Sequence, residues 1–246
     1  MNTGVPMSDK LSKRTGFVNN PAAGKGDLAN FLEAAKGAVA APEGDERGRL
    51  IFALDATMSR QPTWDQACHL QEEMFIEAGR VGSLDVQLVF FRGYGECKSS
   101  RWVSNSKELG RMMRKIRVQA GRTQIRKVLD HALAETRKKR VQAVVYIGDC
   151  MEENPDLVCD KAGELGLLGV PVFVFQEGKD IVAERAYREI ARLSNGVYLN
   201  FDQGSAASLR GLLAAIATYS AGGRQALEQL EQSGHKGAQF LIEHLK

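Results

Sequence analysis

No run of eighteen apolar residues occurs in the 246-residue chain, so the sequence predicts no membrane-spanning helix. The opening MNTGVPMSDKLSKRTGF holds no apolar stretch of signal-peptide length, and the expectation is a protein that stays in the cytoplasm. Cysteine is sparse. Cys68, Cys97, Cys150 and Cys159 form no CxxC pair, and His69, His131, His235 and His244 stand at no zinc-ligand spacing from them, so reduced thiols are expected. Internal repeats and low-complexity tracts are absent. Nothing resembles a paired general acid and base, which favours binding over chemistry.

What is present is a chain long enough, at 43% hydrophobic residues, to bury one substantial core. Residues 1–47, rich in Gly, Pro, Ala and charge, read as a flexible arm with one short helical pattern at DLANFLEAAKGA. From Gly48 apolar runs of strand length alternate with helical patterns. The strands are expected at 49–55, 84–91, 141–149, 170–175 and 196–201, and their near-continuous Val, Ile, Leu and Phe implies burial on both faces. Helices are expected at 62–79, 106–117, 124–139, 155–169, 180–194 and 205–220. SSRWVS (99–104), reached through a turn at Gly93 and Gly95, reads as an antiparallel edge strand. The fold class is therefore a three-layer α/β/α, Rossmann-like arrangement, mostly parallel with one antiparallel edge strand, over residues 48–221. A polar helical tail, 222–246, follows it.

In open α/β sheets ligands bind beyond the carboxyl ends of the strands. Asp55, Thr57 and Ser59 follow the first strand, Asp149 ends another, and Thr123 opens a helix in AGRTQI. Carboxylates and hydroxyls make a hard oxygen set suited to Mg²⁺ or Mn²⁺. The order of Asp55-Ala56-Thr57-Met58-Ser59, Gly121-Arg122-Thr123 and Gly148-Asp149 resembles a von Willebrand factor A (VWA) domain and its metal-ion-dependent adhesion site (MIDAS). The resemblance covers roughly residues 48–221. It implies that Thr57, Ser59 and Thr123 give hydroxyl oxygens to the ion, while Asp55 and Asp149 act largely through bound water and balance its charge. An acidic group of a partner would complete the shell. The resemblance also implies a non-catalytic intracellular adaptor or assembly factor, of the kind that serves ATPase or chaperone systems. Two positions depart from the pattern: Thr57 replaces the first Ser, and Cys150 stands where Gly commonly follows the last Asp. A thiol offers a hard cation nothing.

Charge is unevenly placed. Residues 111–140 carry eleven Lys or Arg against two acids, +9 of local charge in a chain whose total is +3. Arg114, Lys115, Arg122, Arg126 and Lys127 flank the Thr123 loop, and an acidic protein surface that also offers a carboxylate to the metal explains that juxtaposition. Nucleic acid is the other reading of such a cluster, but the stretch lacks aromatic residues to stack on bases. An Asp ending the first strand and the acids Asp149, Glu152 and Glu153 are also similar to a haloacid-dehalogenase-type, Mg²⁺-dependent phosphatase. That chemistry expects a second Asp at position 57, where this chain has Thr. NPAAGKG near residue 20 resembles a nucleotide loop, yet no buried strand precedes it, and a solvated turn is expected.

Overall fold

Alternation along the first strand decides how the sheet is covered. In the computed structural model, which describes Met1 and residues 47–61, 64, 84–201 and 206–245, β1 (Gly48–Asp55) is buried from end to end. Successive side chains of a strand point to opposite faces. Leu50, Phe52 and Leu54 enter one apolar cluster, and Ile51 and Ala53 the other. The chain divides between Lys36 and Gly37, and every element described here lies in the second unit.

Beyond β1 come β2 (Leu84–Arg92), β3 (Glu96–Ser99), α1 (Ser106–Met113), α2 (Ile125–Lys138), β4 (Ala143–Gly148) and α3 (Pro155–Leu167). They are followed by β5 (Val172–Glu177), α4 (Ile181–Leu193), β6 (Tyr198–Phe201), α5 (Ala206–Gln232) and α6 (Lys236–His244). The six strands lie in the order β3-β2-β1-β4-β5-β6, parallel throughout except for β3. On one face α2, α3 and α4 supply Val128, Leu129, Val158, Leu165, Tyr187 and Ile190 to the core. On the other, α1, α5 and α6 supply Leu109, Met113, Leu213, Ile216, Ala238 and Leu241. The three-layer α/β/α expectation holds.

Starts of helices follow the sequence signals. Asn105, Asn154 and Asp180 accept backbone N–H groups of α1, α3 and α4, and Pro155 occupies the first helical position of α3. Two of the ends that differ from expectation have a visible cause. The edge strand is Glu96–Ser99, not 99–104: Arg92 pairs with Glu96 directly after the turn, where Gly93 adopts φ 61°, and their side chains form an ion pair at 2.9 Å. The ladder stops early because the Ser100 hydroxyl takes over the Leu88 N–H, 3.0 Å away, leaving Val103 a single bridge to Val86. Helix α1 stops at Met113, four residues short of the expected 117. Lys115 and Ile116 bond three residues back, and the chain then turns so that the Gln119 N–H reaches the Ala56 carbonyl at 3.0 Å. Tertiary pairing beside β1 overrides a helical pattern that continues in the sequence.

Trp102 packs its ring against the Arg49 guanidinium, 3.7 Å from the ring centre, and donates its indole N–H to Glu135 at 2.8 Å. Helix α5 is interrupted at Gly223, whose φ of 65° and ψ of −161° are not helical. Leu241 of α6 is buried against α5, with Phe240 and Leu245 packed beside it. The helices expected at 27–38 and 62–79 lie outside the described residues, apart from Trp64, which is helical and buried. Among the described residues no helix is long and apolar enough to cross a membrane, and Cys97, Cys150 and Cys159 are free thiols.

Candidate metal centre

The sheet order reverses between β1 and β4: β2 and β3 lie on one side of β1, while β5 and β6 lie beyond β4. Loops leaving such neighbouring strands diverge, and a crevice opens at their carboxyl ends. Asp55 is the last residue of β1, and Asp149 comes directly after β4. Leu54 and Ile147 are register partners, so the two carboxylates leave the sheet side by side. One ligand atom each from Asp55, Asp149 and Cys150 lie within 4.8 Å of one another.

Asp55 is completely buried. Its Oδ1 accepts the Thr57 N–H at 2.8 Å, whereas its Oδ2 is buried without a hydrogen-bond partner. Asp149 Oδ1 is in the same condition. Burial, the largest cause, pushes the Asp55 carboxyl up to about 6; Asp149 adds to the rise, while the Thr57 hydrogen bonds and Arg60 oppose it. A buried carboxylate oxygen without a donor costs free energy, and two such oxygens converging here fit a cation.

Two of the three hydroxyls, those of Thr57 and Ser59, stand on the loop that follows Asp55. Thr57 precedes a short 3₁₀ turn, Met58–Arg60, but its side chain makes no cap hydrogen bond. Its Oγ1 lies 3.0 Å from Ser59 Oγ instead. Thr123 sits just ahead of α2, and its Oγ1 accepts the Glu152 N–H at 3.0 Å while its own N–H donates to Glu152 Oε2 at 3.0 Å. Glu153 accepts the Ile125 and Arg126 N–H groups, capping the N-terminus of α2. The Thr123 loop and the Asp149 loop are thus locked together.

Glu152 and Glu153 appear in the sequence only as acids after Gly-Asp; their role as a clamp depends on contacts nearly thirty residues away. Arg60, fully buried directly after Ser59, was likewise not read from the sequence. Its Nε lies 2.9 Å from Glu177 Oε2 at the end of β5, tying the first loop across the sheet. Cys150 also belongs to the cluster. Burial first, then Asp149 and Asp55, pushes its thiol up to about 12.

The five basic residues expected at a partner surface, Arg114, Lys115, Arg122, Arg126 and Lys127, are all exposed. Lys127 is engaged locally, with Nζ donating to the Gly95 carbonyl at 3.0 Å and Gln124 Oε1 at 2.9 Å. Gly121 supports this side of the site. A Cβ there would lie 2.0 Å from the Gly93 carbonyl oxygen, and Gly93 also accepts the Arg122 N–H at 3.0 Å. Gly121→Ala is expected to destabilise the protein by about 1–3 kcal/mol, read by urea unfolding, because backbone rather than a mobile side chain must yield.

No family model matches the sequence, and no curated protein matches it. Solved structures do. A von Willebrand factor type A protein from Catenulispora acidiphila aligns at 12% identity and TM-score 0.58, over 71% of this chain and 43% of that one. Proximal thread matrix protein 1 from the mussel byssus, with a zinc-occupied MIDAS motif, aligns at 15% identity and TM-score 0.57, over 70% of this chain and 46% of that one. The SpRpn10 VWA domain aligns at 9% identity and TM-score 0.56, over 67% of this chain and 94% of that domain. The chain thus spans less than half the length of the first two. With its sheet order and its single antiparallel strand, the chain has the fold of von Willebrand factor A domains.

Proposed function

We propose that the chain is a non-catalytic protein-interaction module that binds its partner through a divalent cation. The observation that carries this reading is the pair of buried carboxylate oxygens, Asp55 Oδ2 and Asp149 Oδ1, left without donors at the reversal point of the sheet. Thr57, Ser59 and Thr123 are the proposed hydroxyl ligands. The zinc-occupied MIDAS motif of the mussel protein supports the reading by likeness of fold. On these oxygens alone Mg²⁺ or Mn²⁺ is the natural ion.

The ion would hold a carboxylate of the partner, and the exposed Arg114, Lys115, Arg122, Arg126 and Lys127 would draw the acidic surface around that carboxylate. We infer an adaptor or assembly factor acting in the cytoplasm, with an ATPase or chaperone system among the partners such a surface suits. Phosphatase chemistry is the weaker reading: position 57 holds a hydroxyl directed at Ser59, not an acid. Alanine at Asp55 and at Thr123 is expected to abolish both cation binding and cation-dependent capture of the partner from cell extract. If both variants capture as wild type does, with and without chelator, the reading fails.

A further inference from the structure

We propose that Cys150 is itself a ligand of this centre, and that its sulfur makes the site select zinc or another thiophilic divalent ion over magnesium. The inference rests on the divalent-cation reading above and names the ion and the ligand that decide it. Cys150 Sγ and one oxygen each of Asp55 and Asp149 lie mutually within 4.8 Å. Zinc binds thiolate sulfur at about 2.3 Å and carboxylate oxygen at about 2.0–2.2 Å, so at tetrahedral angles two ligands of one zinc ion lie about 3.3–3.7 Å apart. Drawing the three atoms together by at most about 1.5 Å would seat one ion among them.

Independent support comes from the carboxylates. Asp55 is completely buried with Oδ2 unpartnered, and Asp149 Oδ1 is buried and unpartnered beside it. The position of Cys150 is fixed from behind. Its carbonyl accepts the Tyr187 hydroxyl at 2.6 Å, and that hydroxyl meets the Tyr146 hydroxyl at 3.1 Å in the core. Asp55 is oriented in turn by the Thr57 N–H on its other oxygen, the kind of outer contact that holds a ligand in place.

Softness decides the ion. Mg²⁺ demands six oxygen neighbours and gains nothing from sulfur, whereas zinc accepts two oxygens and one sulfur and keeps a fourth position open. On binding, the thiol proton passes to solvent and a metal–sulfur bond forms. A carboxylate of the partner fills the fourth position.

The test uses the full chain, wild type beside Cys150→Ser and Cys150→Ala, with circular dichroism confirming the fold. Cobalt is the spectroscopic probe, and zinc and magnesium are titrated by calorimetry. Wild type with Co²⁺ is expected to show near-ultraviolet sulfur-to-cobalt charge-transfer absorption that both variants lack. Zinc affinity is expected to fall in both variants by more than the roughly 10–100-fold that loss of a second-shell partner costs, with magnesium binding unweakened. Cobalt binding without the sulfur band, together with unchanged zinc affinity in Cys150→Ser, would overturn the inference and leave an all-oxygen centre standing. If no ion binds wild type, the divalent-cation reading fails and this inference with it.

Discussion

Replacing Asp55 by asparagine is expected to stabilise the chelator-treated protein at pH 7 while abolishing its response to divalent cations. The carboxyl titrates near 3.8 when unfolded and at about 6 in the fold, chiefly because it is buried. The folded state therefore holds the proton more tightly than the unfolded state. The stability of the protonated form is fully present below about pH 3.8 and is lost as the pH rises through about 6, a loss of up to about 3 kcal/mol. Asparagine mimics the protonated acid: it keeps an oxygen for the Thr57 N–H and places an amide where the unpartnered oxygen stood.

Urea unfolding in chelator should show this Asp55-dependent fall in wild type, and its absence in Asp55→Asn. Equal stability of the two proteins at pH 7, or a wild type made more stable than the variant by rising pH, would contradict the account. On the proposed reading a bound cation would reverse the penalty, setting stability and binding against each other at this residue.

Arg60→Ala is expected to cost about 3–5 kcal/mol, because removing one partner of a buried pair leaves the other charge uncompensated. The Arg60 side chain is fully buried, and Glu177, at 14% side-chain exposure, lies 2.9 Å away. Arg60 also reaches the Ile147 carbonyl at 3.4 Å, and its charge is one of the causes that hold the Asp55 carboxyl down. For a chain of this size the loss corresponds to a fall of roughly 6–20 °C in Tm. The double variant Arg60→Met with Glu177→Gln removes both charges and should recover much of the loss. A fall of less than about 1 kcal/mol in Arg60→Ala would mean that the pair contributes little.

Much of this architecture was legible in the sequence, because strands covered on both faces carry few polar side chains in their interiors. Leu50 to Leu54 and Val144 to Ile147 are buried on both sides and read as apolar runs. Their ends were displaced by one or two residues. The larger errors came where a contact distant in sequence decides the outcome: Gln119 pairing beside Thr57 cuts α1 short, and the Ser100 hydroxyl ends the edge ladder.

The same distinction governs the site. Asp55, Thr57 and Ser59 stand together in one short segment, and Asp149 was visible at the end of a strand. The convergence of Asp55 and Asp149 follows from the adjacency of β1 and β4. Arg60 carried no signal, since a charged residue in a loop ordinarily faces water. Cys150 was read as a departure from a hard-cation pattern, and its proposed role comes only from its distance to the two carboxylates.

The most direct test of the central claim, that Asp55 and Asp149 hold a divalent cation, is calorimetric titration of the full chain with Mg²⁺, Mn²⁺ and Zn²⁺ in turn, beside Asp55→Ala and Asp149→Ala. Saturable binding of one ion per chain in wild type, lost in both folded variants, is the predicted result. Equal binding by all three proteins, or none by wild type with any of the ions, would contradict it.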